Sequence, residues 1–154
     1  MFEYIAVRTD DEYAAAAFLF KEYADSLDID LSFQHFDREL AALKNMYAPP
    51  LGGIILCRIN GDFVGSIAIR PQEPGIAEIK RMYVKPLFRG RGTGEILLQR
   101  IIRLAKEYGY EKIRLDTLNT MTPAMNLYKK HGFTEVPPYY FNPEKTAVYF
   151  EKEL

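Results

Sequence analysis

A charged, strand-like segment runs through a glycine-rich turn into an amphipathic helix between residues 76 and 108, and this junction limits the folds open to the chain. Ile76 to Val84 reads as a strand closed by Pro86. Arg89-Gly90-Arg91-Gly92-Thr93-Gly94 follows, and then Leu97, Ile101, Leu104, Ala105 and Tyr108 form one apolar helix face. Such a turn frees backbone N–H groups at a helix start, where the donors and the helix dipole hold phosphate. Arg89 and Arg91 add local charge. A Walker A loop would need a lysine that is missing here. A dinucleotide fingerprint fits Gly90 and Gly92 but meets Glu95 at its third glycine, although Asp116 stands where a ribose-binding acid would. Glu78, Lys80 and Arg81 also interrupt the apolar run expected of a buried parallel strand. A plain turn with solvated arginines would need fewer glycines.

The flanking segments give an α/β order. Phe2 to Arg8 reads as a strand. Asp10 and Asp11 offer an N-cap to a helix through Tyr13, Ala17, Phe20, Ala24 and Leu27. A second helix is marked by Phe36, Leu40, Leu43 and Tyr47 and stops at Pro49-Pro50. Strands over 53–59 and 63–70 are joined by Asn60-Gly61-Asp62, a hairpin signal. Strands over 112–118, 133–136 and 147–154 bracket a helix, with Thr122 and Pro123 as N-cap and first turn and Gly132 beyond its end. This order predicts a mixed sheet with helices on its faces. No repeat or long linker divides it, so one domain over 1–154 is expected.

Composition narrows the partners. The chain has 20 basic and 21 acidic residues and a formal net charge of -1, which gives no general pull toward nucleic acid or an anionic membrane. The single cysteine, Cys57, lies in an apolar run and suits core packing. With His35 and His131 far apart, no metal-ligand cluster is expected. The N-terminus carries no signal-peptide pattern, and the apolar run Ala14 to Phe20 is too short to span a bilayer, so a cytoplasmic protein is expected.

Arg89-x-x-Gly92-x-Gly94 matches the Q/R-x-x-G-x-G/A signature of the GNAT (GCN5-related N-acetyltransferase) superfamily. Downstream, Ala124-x-x-Leu127-Tyr128-x-x-x-Gly132-Phe133 resembles that family's second recurring motif, at the expected separation. The resemblance implies an acyl-CoA N-acyltransferase fold, with a central, mostly antiparallel sheet flanked by helices. It implies acetyl-CoA as co-substrate, no metal, and transfer of acetyl to a primary amine by direct attack in a ternary complex. On this resemblance the loop from Arg89 through Gly90, Arg91, Gly92 and Thr93 to Gly94 cradles the pyrophosphate. Met82, Tyr83 and Val84 pair with the pantetheine arm through their main chain, and an N–H near Val84 polarises the acetyl carbonyl. Tyr128 is the general acid toward the CoA sulfur; the alternative is a tyrosine packed on its helix's apolar face. Glu78 is the base, directly or through a water; the alternative is a solvent-facing strand glutamate beside Lys80. Where relatives often place Asn before the second motif, this chain has Met121, and Asn119 is the candidate substitute for that CoA contact.

The implied acceptor is a small-molecule or peptide amine, with Phe33, His35, Tyr139 and Tyr140 as candidate pocket residues; the alternative is that these aromatics cover the core. Arg70 is a candidate for a substrate carboxylate, against the commoner reading of a surface arginine. Homodimers are common among relatives. Two alternatives remain at this point: a catalytically silent acyl-CoA-binding module, and a nucleotide-binding oxidoreductase resting on Gly90, Gly92 and Asp116.

Overall fold

The computed structural model describes residues 1–27 and 36–154. The chain runs β1 (Phe2–Ala6), α1 (Asp10–Ser26), α2 (Phe36–Ala41), α3 (Leu43–Met46), β2 (Gly53–Ile59), β3 (Asp62–Glu73) and β4 (Ile76–Val84). A 3-10 turn (Pro86–Phe88) then leads to α4 (Thr93–Glu107), β5 (Lys112–Leu118), α5 (Thr122–Lys130), β6 (Thr134–Val136) and β7 (Ala147–Glu153). The seven strands form one sheet in the order β1-β2-β3-β4-β5-β7-β6. Every neighbouring pair is antiparallel except β4 and β5, which α4 joins as a crossover.

Alternation sorts the strand residues onto two faces. Leu97, Leu98, Ile101 and Ala105 of α4 pack with Ile67, Ile69, Ala77, Ile79, Ile113 and Leu115, and Tyr128 of α5 joins the same cluster. On the other face Ala16, Leu19 and Phe20 of α1, with Leu43 and Tyr47, pack on Ile54, Leu56 and Ala68. Cys57 is fully buried, as its apolar context predicts.

The local differences from expectation each have a cause. Thr9, not Asp10 or Asp11, caps α1: the Glu12 N–H donates to the Thr9 hydroxyl at 3.2 Å, and the Thr9 N–H returns a bond to Glu12 at 3.0 Å. The two aspartates sit in the first turn, where the helix dipole favours them. The second helix divides at Ala42, whose φ of -120° and ψ of 27° leave the helical region. β3 continues past Pro71, which is exposed beside a register shift, a place where a strand tolerates a missing donor. Thr122 is the first residue of α5 and not its cap; Met121 holds that position, with no capping bond from its side chain. Among the described residues no helix is long and apolar enough to cross a membrane.

Candidate active site

β4 and β5 pair only from Ile76–Lys112 to Glu78–Arg114 and then separate. The cause is a bulge in β4. Ser66 lies opposite Tyr83 and Ala68 opposite Lys80, so two steps along β3 match three along β4. Arg81, within the bulge, has a φ of 58°, a conformation that a non-glycine side chain rarely adopts. Contacts on both its main chain and its side chain hold it there. The Ser66 hydroxyl donates to the Arg81 carbonyl at 2.9 Å. The Arg81 guanidinium gives both Nε and Nη2 to the buried Glu39 carboxylate, each at 2.8 Å. Burial opposes the charge on Arg81, but the Glu39 carboxylate overrides it and holds the guanidinium pKa above its ordinary value.

The separation opens a cleft of about 640 Å³ along the free edge of β4, lined by every residue from Ile79 to Val84. Met82, Tyr83 and Val84 are therefore brought together there, as expected. Burial and a 2.7 Å hydrogen bond to Glu22 push the Tyr83 phenol up to about 12. At one end of the cleft lie Arg89, Gly90, Gly92, Thr93 and Gly94. Gly90 and Gly92 both have φ of +80°, and a Cβ on either would point into open space. Gly92 occupies the N-cap of α4 with no side-chain capping bond, so the first-turn N–H groups stay open to an anion. Pyrophosphate fits that cradle. The Arg89 Nε donates to the Val84 carbonyl at 2.8 Å and ties the loop to β4. Arg91 is exposed, rests over the Phe88 ring and does not line the cleft.

Tyr128 both packs in the core and lines the cleft. Its ring packs against Phe133 and Phe150 at 5.8 and 6.1 Å, while its hydroxyl reaches the cleft and donates to the Met82 sulfur at 3.4 Å. Burial raises its pKa above the ordinary phenol value, so it keeps its proton at neutral pH.

Glu78 is buried and not solvent-facing, at 4% exposure. Its carboxylate accepts a 2.8 Å bond from the Tyr139 hydroxyl and lies 3.6 Å from both Arg70 Nε and Lys80 Nζ. It does not line the cleft. Lys80 and Asp116 do, and their 3.7 Å ion pair spans the gap between the separating strands. The Tyr140 hydroxyl donates to Asp116 at 2.7 Å. Asp116, like Glu95, thus lines the cleft, although in the sequence it stands out only as a candidate ribose-binding acid. The available signal was alternation in β5, which puts Lys112, Arg114 and Asp116 on one face, with Asp116 beyond the last residue paired to β4. Tyr139 and Tyr140 thus both belong to this network of charges. Asn119 is exposed outside the cleft, its N–H donating to the Thr146 carbonyl, whereas Met121 is in the lining. Phe33 and His35 lie outside the described residues. His131 closes α5 onto α4 through Glu95, at 2.8 Å. Among the described residues no cluster of three or more potential ligands could hold a metal.

Tyr47, Tyr128, Tyr139 and Tyr140 all have pKa values raised chiefly by burial. In the unfolded chain these phenols ionise near pH ~10. Above that pH the unfolded state releases protons that the folded state keeps, so their contribution to stability is full below about pH 10 and is lost as pH rises. Thermal melts should drop above that point, and melting temperatures unchanged at about pH 11 would contradict the burial of these phenols.

Fold and site together define a mixed α/β protein whose mostly antiparallel sheet is opened at β4–β5 beside a phosphate-type loop. The acetyltransferase (GNAT) family pattern matches residues 6–133. An uncharacterised N-acetyltransferase of Schizosaccharomyces pombe is 38% identical over 151 residues, covering 97% of this chain and 93% of that protein. Another, from Dictyostelium discoideum, is 31% identical and covers 87% of this chain and 90% of its own length. A GNAT-family acetyltransferase structure from Staphylococcus aureus superposes with a TM-score of 0.81 at 20% identity, covering 99% of each chain. The chain belongs to the acetyltransferase (GNAT) family. That membership displaces the oxidoreductase alternative, whose parallel β4–α4–β5 unit is present but shares only three residue pairs.

Proposed function

We propose that the chain, as a single transferase domain over 1–154, moves acetyl from acetyl-CoA to a primary amine by direct attack in a ternary complex. The observation that carries this reading is the cleft along the free edge of β4, with an uncapped helix start at one end and the Tyr128 hydroxyl inside. Arg89, Gly90, Gly92, Thr93 and Gly94 would hold the pyrophosphate, with Arg91 adding charge from outside. Met82, Tyr83 and Val84 would hold the pantetheine arm, and acetyl-CoA supplies the activated thioester. The amine nitrogen bonds to the acetyl carbon as the carbon–sulfur bond breaks, and Tyr128 donates its proton to the departing sulfur. Glu78 takes the proton from the amine at one remove, through Lys80, Tyr139 or water, with Asp116 paired to Lys80 in the cleft lining. Asn119 would reach CoA only if the turn after β5 moved. The chain works as a cytoplasmic enzyme without a metal.

Thermal melting with acetyl-CoA, CoA and NAD, followed by a thiol-release screen of amines, tests the reading. A rise with both CoA forms but not NAD supports it, and no shift with either CoA form sinks it. Tyr128→Phe should lower kcat by about a hundredfold while acetyl-CoA affinity stays nearly intact. Full activity in that variant would leave Tyr128 a packing residue. A catalytically silent acyl-CoA module is the second reading, favoured by the enclosure of Glu78 under Tyr139. CoA binding without transfer to any amine would select it.

A further inference from the structure

Four side chains in register cross the sheet on the face away from α4: Arg70 of β3, Glu78 of β4, Arg114 of β5 and Glu151 of β7. Their charges alternate, which makes each neighbour a partner. Arg114 is hydrogen-bonded through both Nε and Nη1. Its Nε donates to Glu151 at 2.7 Å and its Nη1 to Gln72 at 2.9 Å. Arg81, nearby on β4, has its two bonds to Glu39.

Arg70 differs from both. Its side chain is only 24% exposed, yet its guanidinium makes no hydrogen bond among the described residues: its Nε approaches Glu78 at 3.6 Å, too long for one, and its charge is also felt by the buried Tyr47 phenol. Glu78 is itself shared with Lys80 and Tyr139. The next strand, β2, reads Gly-Ile-Ile-Leu-Cys-Arg-Ile and offers no acid on the other side. A mostly enclosed guanidinium with its planar pair of Nη donors unspent suits a carboxylate, which can take both donors at once. Neither Arg70 nor Glu78 lines the cleft, but Glu78, opposite Arg70, lies one strand repeat, about 7 Å, before Lys80, which lines it with Asp116. One small molecule can span that distance.

We infer that Arg70 receives a carboxylate of the acceptor, so that the acceptor is a small amine carrying its own carboxylate, an amino acid in the broad sense. This rests on the transferase reading for its catalytic consequence, but the anion site stands on its own geometry. The test offers the acetyl-CoA-loaded protein the common α-amino acids, β-alanine and 4-aminobutyrate, each against its carboxamide. Binding is read by saturation-transfer NMR and turnover by thiol release. The expected result is an acid preferred over its amide by about tenfold or more. Arg70→Gln should erase that preference mainly through KM, with acetyl-CoA affinity retained, and Arg70→Lys should restore part of it. Amides that match acids across the panel overturn the inference, as does a preference that survives in Arg70→Gln. Because binding is read without turnover, absence of any acid bound to the wild-type protein also overturns it. Failure of acetyl-CoA to bind or react is a separate result that counts against the transferase reading.

Discussion

Gly92→Glu is expected to weaken acetyl-CoA binding by about a hundredfold or more, because a like charge set against a bound anion costs several kcal/mol. Gly92 is the N-cap of α4, has φ of +80° and carries no side chain in the space before the helix. A glutamate there does two separable things. It forces a left-handed conformation on an L residue, at about 1 kcal/mol or somewhat more. It also extends a carboxylate into the cradle where the first-turn N–H groups would face pyrophosphate. Gly92→Ala isolates the first effect, since its Cβ would meet no atom within 4 Å. The alanine variant should melt lower yet keep a thermal shift with acetyl-CoA, while the glutamate variant should lose that shift. Equal shifts in both variants would remove the loop from the binding site.

The parts of the fold that were legible are those written in local pattern. The turn at Asn60-Gly61, the apolar face of α4 and the glycine run before it depend on residues a few positions apart, and the elements fall where that spacing puts them. Charged β4 was legible as a strand but not in its burial. Glu78, Lys80 and Arg81 interrupt the apolar run of a buried strand, and such groups are seldom enclosed unless paired; partners that enclose them lie far along the chain. Glu39 and Arg81 are 42 positions apart, and Tyr139 and Glu78 are 61 apart. No periodicity records a pair of that kind.

The same reason divides the candidate site. The loop residues and Tyr128 sit in short motifs with fixed spacing, and all but Arg91 line the cleft. The acid–base side depends on which strands separate and where. Lys80 and Asp116 meet only because β4 and β5 part after Glu78, and that parting follows from the bulge at Arg81. Sequence alternation shows that Glu78, Lys80 and Asp116 have defined faces. It does not show that Tyr139 covers the first while the other two stay open.

Glu39→Ala is the substitution expected to cost the most stability. Its carboxylate is fully buried and holds both Nε and Nη2 of Arg81, whose own side chain is 3% exposed. Removing one member of such a pair leaves a charge enclosed without its carboxylate, at about 3–5 kcal/mol. For a domain of this size that corresponds to a fall in Tm on the order of 10 °C. The loss should reach the cleft as well. Arg81 holds a φ of 58° that is unfavourable for its side chain, and without Glu39 the bulge loses the paired hydrogen bonds on its guanidinium. The strand edge expected to meet pantetheine would then relax, so acetyl-CoA affinity should fall along with Tm. Glu39→Leu combined with Arg81→Met separates the two effects, because an apolar pair of similar volume is often as stable as the ion pair it replaces. That double variant should recover most of the Tm. If the ion pair also shapes β4, acetyl-CoA affinity should stay low in the restored protein; affinity that returns with Tm would make the pair a stabilising contact alone.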